Sequence, residues 1–320
     1  MRPGPAPTIP ASGLTEREPD INTIMVIVFG SINLDLIFSV SRIPQSGETV
    51  LGPSVRMEPG GKGANQAVAA ARDGANVVLA GAVGRDSLAI SALALLREAQ
   101  VDISRVTETD TTTGCATIAV DPLGHNAIAV GSGANLLARQ ARIEDALLQT
   151  RPTLMLQMEV PAEETIALVH RARAKGARVI LNLAPASSLP EATLRELDIL
   201  VVNEPESIWL AAHLNCADTA SALQSRLGIV VVRTLGARGL ELATPDGVSA
   251  MPARAVEPVD TTAAGDCFVG VMAAALDRGA ELEVALRRAT AAAGLCCTRP
   301  GSQGSIPTAC ETDAFLSSDL

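Results

Sequence analysis

Tyrosine is absent from this chain of 320 residues, tryptophan occurs once, as Trp209, and phenylalanine four times. Lysine is almost as scarce, since 25 basic residues include just two lysines, Lys62 and Lys175. With a formal net charge of -10, no run of five or six like charges and no basic cluster interleaved with aromatics, nothing marks a nucleic-acid or acidic-membrane surface. No stretch approaches the uninterrupted apolar length of a membrane span. The six cysteines, Cys115, Cys216, Cys267, Cys296, Cys297 and Cys310, form no CxxC pair with metal-ligand spacing. They read as reduced and mostly buried, because a domain of this size needs no disulfide staples. The first 23 residues are rich in Pro and small residues and lack the apolar core of a secretory leader, so a disordered tail and a cytoplasmic location are expected. An acidic balance does not exclude a phosphate-bearing small molecule, which a pocket of backbone N–H groups and a bound cation can hold against a mildly negative field.

A hydrophobic share of 48% is enough to fill a continuous core. Ile24 to Phe29 is an apolar run closed by Gly30, as expected of a strand buried on both faces of a parallel sheet. Leu34 to Val40 and Glu48 to Met57 are of mixed polarity and predict a small antiparallel flap. Strand and helix patterns then alternate: helix at 64–72, strand at 76–80, helix at 87–99, strands near 113–120 and 127–130, helix near 136–149, strand at 153–158, helix at 161–174 and strand at 178–182. A strand at 198–202, helices near 204–226, a strand at 229–233, an antiparallel stretch at 239–257 and helices at 264–278 and 282–297 complete the pattern. Such alternation predicts an α/β fold with a doubly wound, mainly parallel sheet. In the helix from Ala264, the stripe of Phe268, Val269, Met272 and Leu276 is assigned to the core. There is no internal repeat.

The strongest local signal is Ala263-Ala264-Gly265-Asp266, small residues leading into an apolar-periodic helix. A helix start offers free N–H groups and a positive dipole end, which suit an anion. A carboxylate there would repel a phosphate unless it had other work, such as taking a proton from an attacking hydroxyl. The plainer alternative is that Asp266 only complements the helix dipole. A second site, Pro59-Gly60-Gly61-Lys62-Gly63-Ala64-Asn65-Gln66, fits neither the Walker A loop nor GxGxxG. Its glycines would bring backbone close to a polar ligand while Asn65 offers both donor and acceptor; an ordinary Gly-rich turn is the alternative. The scarcity of lysine elsewhere weighs against Lys62 being a casual surface choice. Asn33 and Asp35 would lie on one face of a strand and suit a polyol, or a solvated edge. Asn203-Glu204-Pro205-Glu206 opens a helix, where Glu206 could hold Mg²⁺ through water or merely complement the dipole. Thr234-Leu235-Gly236-Ala237-Arg238-Gly239 follows a strand at the carboxyl end of the sheet, where ligands of such sheets bind. His125, His170 and His213 share no spacing with one another or with a Ser or Cys nucleophile.

Taken together, Gly30-Ser31-Ile32-Asn33-Leu34-Asp35, the GGKGANQ run, Leu156-Gln157-Met158-Glu159, the NxxE run at 203–206, the TLGxRG run at 234–239 and the DTTAAGD run at 260–266 closely resemble the ribokinase branch of the PfkB-type sugar kinase family. The six motifs stand in family order over Val26 to about Leu316. The resemblance implies a kinase domain over 24–320 with a small β lid formed near 34–57 and 113–130. It implies that Asn33, Asp35, Gly61, Lys62, Asn65, Glu159 and Asp266 hold a sugar. Asn203, Thr234, Gly236, Gly239, Gly265, Asp266 and Thr290 would lie along ATP, although the family carries Asn or His where this chain has Thr290. Glu206 would serve Mg²⁺. Asp260, Thr262, Cys296, Arg299, Gly301 and Ser305 would surround K⁺, mostly through carbonyl oxygens. A homodimer formed through the lid is also implied.

The activity implied is transfer of the γ-phosphoryl of ATP to a pentose hydroxyl, O5 of ribose foremost, with Asp266 as base. Deoxyribose, fructose and ketodeoxygluconate are alternative substrates, and a non-catalytic sugar-binding regulator is the alternative from another class. The near absence of aromatics disfavours a nucleoside, which is normally gripped by stacking.

Overall fold

Val26–Phe29 carries four consecutive apolar residues and no polar face, and all four are fully buried at the centre of the molecule. The computed structural model describes residues 25–318; the Pro-rich tail expected over 1–23 lies outside them. In chain order the strands are β1 (Val26–Phe29), β2 (Asn33–Ser39), β3 (Ser54–Gly60), β4 (Val77–Gly84), β5 (Asp102–Thr109), β6 (Gly114–Val120) and β7 (Asn126–Gly131). They continue as β8 (Thr153–Leu156), β9 (Arg178–Asn182), β10 (Ile199–Asn203), β11 (Val230–Thr234), β12 (Leu240–Thr244) and β13 (Gly247–Met251). The α-helices are α1 (Lys62–Arg72), α2 (Ser87–Ala92), α3 (Ala94–Glu98), α4 (Asp145–Gln149), α5 (Ala162–Lys175) and α6 (Glu191–Leu194). The rest are α7 (Glu204–Leu214), α8 (Ala220–Leu227), α9 (Ala264–Asp277), α10 (Leu282–Cys297) and α11 (Ala309–Ser317).

Nine strands form the main sheet in the order β13-β12-β11-β10-β9-β8-β1-β4-β5. All its neighbours are parallel except β11/β12 and β12/β13. Helices cover both faces, with α1, α9 and α10 on one core and α5, α7 and α8 on the other. Each buried Val, Leu or Ile contributes about 1.5–3 kcal/mol relative to exposure, so the sheet register follows from its apolar runs. The doubly wound α/β expectation is met. A second sheet, β3-β2-β6-β7, stands apart; β2 pairs β3 antiparallel and β6 parallel.

Three local expectations differ from the structure. The helix expected over 136–149 is instead a 3-10 turn at Gly133–Leu137, another at Gln140–Arg142 and the single turn of α4. Ala138 between them is extended, because the Asn135 side chain is tied back to the backbone of Ile32. The helix expected over 87–99 is divided between α2 and α3 at Leu93. Strand β5 was not anticipated: it is the sheet edge, and its polar, half-exposed pattern DISRVTET lacks the apolar run of a central strand.

Two glycines set how the site elements approach. A Cβ on Gly63 would lie 2.6 Å from Gly30 C and Ser31 N, so the start of α1 rests directly on the end of β1. A Cβ on Gly270 would lie 2.5 Å from Gln66 O and 2.6 Å from Ala69 Cβ. The close α1/α9 contact that Gly270 permits brings Asn65 and Gln66 up to Asp266.

Candidate active site

The cleft opens at the carboxyl ends of β9, β10 and β11 and at the first turn of α9. Lys62, Asn203, Glu206, Thr234, Gly265 and Asp266, all anticipated from sequence, line one pocket there. Asn182, Ala184 and Thr261 line it too and were not anticipated. Asn182 closes an apolar strand at the carboxyl end of a parallel sheet, which was the available signal.

Asp266 is buried in the first turn of α9. Its Oδ2 accepts a hydrogen bond from Asn65 Nδ2 at 2.9 Å and its Oδ1 one from Gln66 Nε2 at 3.0 Å. Asn65 is held in that orientation because its Oδ1 accepts from Ser302 Oγ at 3.3 Å and Gln303 Nε2 at 3.2 Å. Gln66 Oε1 likewise accepts from Gln157 Nε2 at 2.6 Å. Each carboxylate oxygen keeps a lone pair for a further donor. Gln66 and Gln157 stood inside recognised runs but carried no assigned role; partners 200 and 91 residues away cannot be read from local spacing.

Ala263, which precedes α9, has φ 62° in the left-handed region, a conformation that costs a non-glycine residue of order 1 kcal/mol and concentrates at functional sites. Among the described residues no protein acceptor meets the N–H groups of Gly265 and Asp266, while Ala264 N–H turns to Thr261 O at 3.3 Å. A Cβ on Gly265 would meet nothing within 4 Å, so neither packing nor backbone conformation demands glycine there. Two free N–H groups facing open space beside a carboxylate make an anion site with a built-in proton acceptor.

Asn33, Asp35, Gly61, Asn65 and Glu159 do not line this pocket; Asn65 is joined to it through Asp266 and Glu159 through the backbone of Lys62. Glu159 Oε2 accepts from Ser31 Oγ at 2.5 Å and from Lys62 N at 3.1 Å, tying the first residue of α1 to the loop after β8. Gly61, with φ 88°, caps α1, and a side chain there would strike Asn33 N at 2.7 Å. Asp35 is buried on β2, and its carboxyl is pushed up to about 7, by burial first and then by Glu159, Glu58 and Asp266. Asp266 does most to raise the Lys62 ammonium above the ordinary lysine range, against its own desolvation, with Glu159, Glu206 and Asp35 adding to the effect. Burial raises Glu206 as well, with the Asn203 N–H and Lys62 opposing.

At the other wall Asn203 and Glu206 cap α7 reciprocally: Asn203 Oδ1 accepts from Glu206 N and Glu206 Oε2 from Asn203 N, both at 2.8 Å. Gly236 and Gly239 flank a 3-10 turn after β11. A side chain at Gly239 would meet Met251 O at 2.0 Å, so packing alone accounts for that glycine. Thr290 sits on α10, its Oγ1 donating to Leu286 O at 2.8 Å. Gly236, Gly239 and Thr290 do not line the pocket that holds Asp266.

The expected cation residues gather around the loop 299–305. Asp260 Oδ1 accepts from Thr262 N at 2.9 Å and Oδ2 from Gly301 N at 3.0 Å. Arg299 pairs with Glu311 at 2.6 Å, and Cys296 Sγ lies 3.0 Å from Ser305 Oγ. Among the described residues no N–H or O–H is directed at the carbonyl oxygens of Thr262, Arg299, Gly301 and Ser305, whereas Cys296 O accepts from Arg299 N at 3.2 Å. No cluster of three or more His, Cys, Asp or Glu side chains suited to a metal occurs among the described residues, and no helix there is long and apolar enough to cross a membrane.

A model of the pfkB family of carbohydrate kinases matches residues 23–309. The chain is similar to the ribokinase of Bacillus subtilis (strain 168), 36% identical over 297 residues that cover 91% of this chain and 99% of the relative. It is also similar to the deoxyribokinase of Salmonella typhi, 32% identical over 310 residues, covering 91% of this chain and 98% of the relative. Among solved structures it matches the ribokinase of Arabidopsis thaliana complexed with ribose and ATP, with a TM-score of 0.82 and 28% identity over 92% of this chain and 99% of that one. A family model spanning most of the sequence, on a fold that brings a helix-start anion site to a buried carboxylate, leads to one conclusion: this chain belongs to the pfkB family of carbohydrate kinases and is a sugar kinase.

Proposed function

We propose that this sugar kinase phosphorylates D-ribose at O5 with ATP, and that Asp266 is the base. The observation that carries the reading is the buried Asp266 carboxylate, clamped by Asn65 and Gln66 beside the free N–H groups of Gly265 and Asp266. In the reaction the sugar O5–H gives its proton to a carboxylate oxygen of Asp266. The oxygen attacks the γ-phosphorus, and the bond from that phosphorus to the bridging oxygen of ADP breaks. Asn33, Asp35, Gly61, Lys62, Asn65 and Glu159 hold the sugar, and the N–H groups at the start of α9 meet charge gathering on the transferred group. Lys62, whose ammonium is stabilised by Asp266, lines the same pocket and would lessen the repulsion between the base and an incoming phosphate.

Asn203, Thr234, Gly236, Gly239 and Thr290 line the path of the nucleotide in this reading. Mg²⁺ would be held by Glu206 through water; a buried carboxylate on the cleft wall without an ion-pair partner among the described residues fits that use. The unpartnered carbonyls of Thr262, Arg299, Gly301 and Ser305, with Asp260 and Cys296 beside them, fit K⁺. Bound there, the two cations would supply positive charge to offset the negative charge of ATP. The sheet β3-β2-β6-β7 serves as lid, and its exposed Phe38, Val55, Met57, Ile128 and Val130 support a homodimer formed lid to lid in the cytoplasm. A monomer in light scattering at micromolar concentration would contradict the dimer.

The test is ATP consumption over ribose, deoxyribose, fructose and ketodeoxygluconate, with and without K⁺, with the phosphorylated position assigned by phosphorus NMR. Ribose 5-phosphate is the expected product. Preference for deoxyribose would move the substrate while keeping the chemistry, and binding of sugar without turnover would favour a regulator.

A further inference from the structure

Asn135 lies in the 3-10 turn Gly133–Leu137, 1% exposed and far in sequence from the motifs of the cleft. Its side-chain amide bridges the backbone of Ile32: Ile32 N donates to Asn135 Oδ1 at 2.9 Å, and Asn135 Nδ2 donates to Ile32 O at 3.3 Å. This pairing decides which end of the amide is oxygen, because the reverse would set oxygen against oxygen and N–H against N–H. The second hydrogen on Asn135 Nδ2 then goes to Asn33 Oδ1, at 2.7 Å.

That bond orients Asn33 in turn. With its oxygen turned toward Asn135, Asn33 presents Nδ2 on the other side, and Nδ2 donates to no group among the described residues although Asn33 is only 3% exposed. The amide nitrogen itself is not sealed from solvent, so a ligand oxygen can replace water as its acceptor. Asp35, two residues on and on the same face of β2, is also buried, and no described residue donates a hydrogen bond to its carboxylate. The strand thus presents a donor followed by an acceptor. Gly114 is part of the arrangement: a Cβ there would lie 2.2 Å from Asn33 Oδ1 and 2.3 Å from Asn135 Nδ2.

We propose that Asn135 is a positioning residue that, by holding the Asn33 amide oxygen, makes Asn33 a donor-only contact to a sugar hydroxyl oxygen and so sets part of the substrate specificity. The inference rests on the proposed sugar site and adds to it a residue that touches no ligand.

A double-mutant cycle tests it, with kcat, KM for ribose and KM for ATP measured on the wild type, Asn33→Ala, Asn135→Ala and the double variant. Loss of the clamp is expected to raise KM for ribose about tenfold, the order of one hydrogen bond, with kcat and KM for ATP changed less than about threefold. In the Asn33→Ala background Asn135→Ala should add nothing, since a residue acting through another is silent without it. Equal effects of Asn135→Ala in both backgrounds, or an unchanged KM for ribose, would overturn the proposal. Asn135→Ala also strands the Ile32 N–H and costs stability, so Asn135→Asp is the second variant: it keeps an acceptor for the Ile32 N–H, removes the donor to Asn33 Oδ1 so that the Asn33 amide can turn, and should give the same rise and the same silence. A purely packing role would lower thermal stability in both variants and leave KM where it was. A wild type without turnover on any sugar would sink the sugar site and this inference together, whereas an active wild type with additive variants would sink this inference alone.

Discussion

The two walls of the cleft treat their polar side chains in opposite ways. On the wall proposed for the sugar, Asn33 Nδ2, the Asp35 carboxylate and the Lys62 ammonium have no hydrogen-bond partner among the described residues, although Asn33 and Asp35 are buried. On the nucleotide wall, Asn203 and Glu206 satisfy each other's backbone, Arg238 pairs with Glu204, and Thr234 Oγ1 turns to Val202 O at 3.4 Å. These groups are not sealed from solvent, so water can serve them in the empty protein and a ligand can take its place, which marks this side as a surface shaped for a ligand. The sugar half is built from waiting side chains, and the nucleotide half from backbone and small residues. Side-chain substitutions should therefore act strongly on the first and weakly on the second.

The largest effect is expected where the halves meet. Asp266→Asn should lower turnover about 10² to 10⁴-fold, roughly 3 to 5 kcal/mol of transition-state stabilisation, while MgATP still binds; near-normal turnover of the folded variant would remove Asp266 as base. Next, Asp35→Asn should raise KM for ribose about 10- to 100-fold, the range for a hydrogen bond to a charged group.

The same carboxyl gives a pH signature. Its folded pKa of about 7 lies above the ordinary 3.8, so between those values the unfolded chain binds fewer protons and Asp35 makes stability fall as pH rises, levelling off above 7. Over the upper part of that window KM for ribose should fall as the carboxylate ionises, with Glu159, Glu58 and Asp266 opposing ionisation and Lys62 assisting it. Asp35→Asn should flatten both profiles and melt higher than the wild type at pH 8; a variant with unchanged pH dependence would assign the titration elsewhere.

Gly270→Ala comes third. The added Cβ, 2.5 Å from Gln66 O, must part α9 from α1, at about 1 to 3 kcal/mol of stability, with turnover falling as Asn65 and Gln66 lose register with Asp266. Chemical denaturation and kinetics check it together. The smallest effect belongs to the nucleotide wall. Asn203→Ala removes an N-cap worth about 1 kcal/mol and should leave KM for ribose unchanged. A rise in that KM comparable to the one at Asp35 would erase the contrast between the walls.

Much of this was legible in the sequence because it depends on neighbours along the chain. The apolar runs became β1, β8, β9, β10 and β11, and the GGKGANQ and DTTAAGD runs fell at helix starts, the first with glycines at Gly61 and Gly63 that allow close approach to β1 and β2. What was not legible depends on partners distant in sequence. The 136–149 segment has helical composition, yet Asn135 bonds to Ile32 and Asn33 across 103 and 102 residues, and that tertiary bridge replaces a helix start. Strand β5 carries the polar alternation of an edge and was indistinguishable from a loop. The amides of Gln66, Gln157 and Gln303 read as ordinary polar side chains, and their burial is what makes them the frame of Asp266.

The central claim is that the sugar half stands ready before any nucleotide arrives, and calorimetric titration of ribose into the nucleotide-free wild type tests it most directly. Saturable binding of ribose without ATP, lost in Asp35→Asn and kept in Asn203→Ala, is the predicted result. Ribose binding that appears only once MgATP or an unreactive analogue is present would contradict it, and would mean that the unpartnered groups on β2 are not the preformed half of the site.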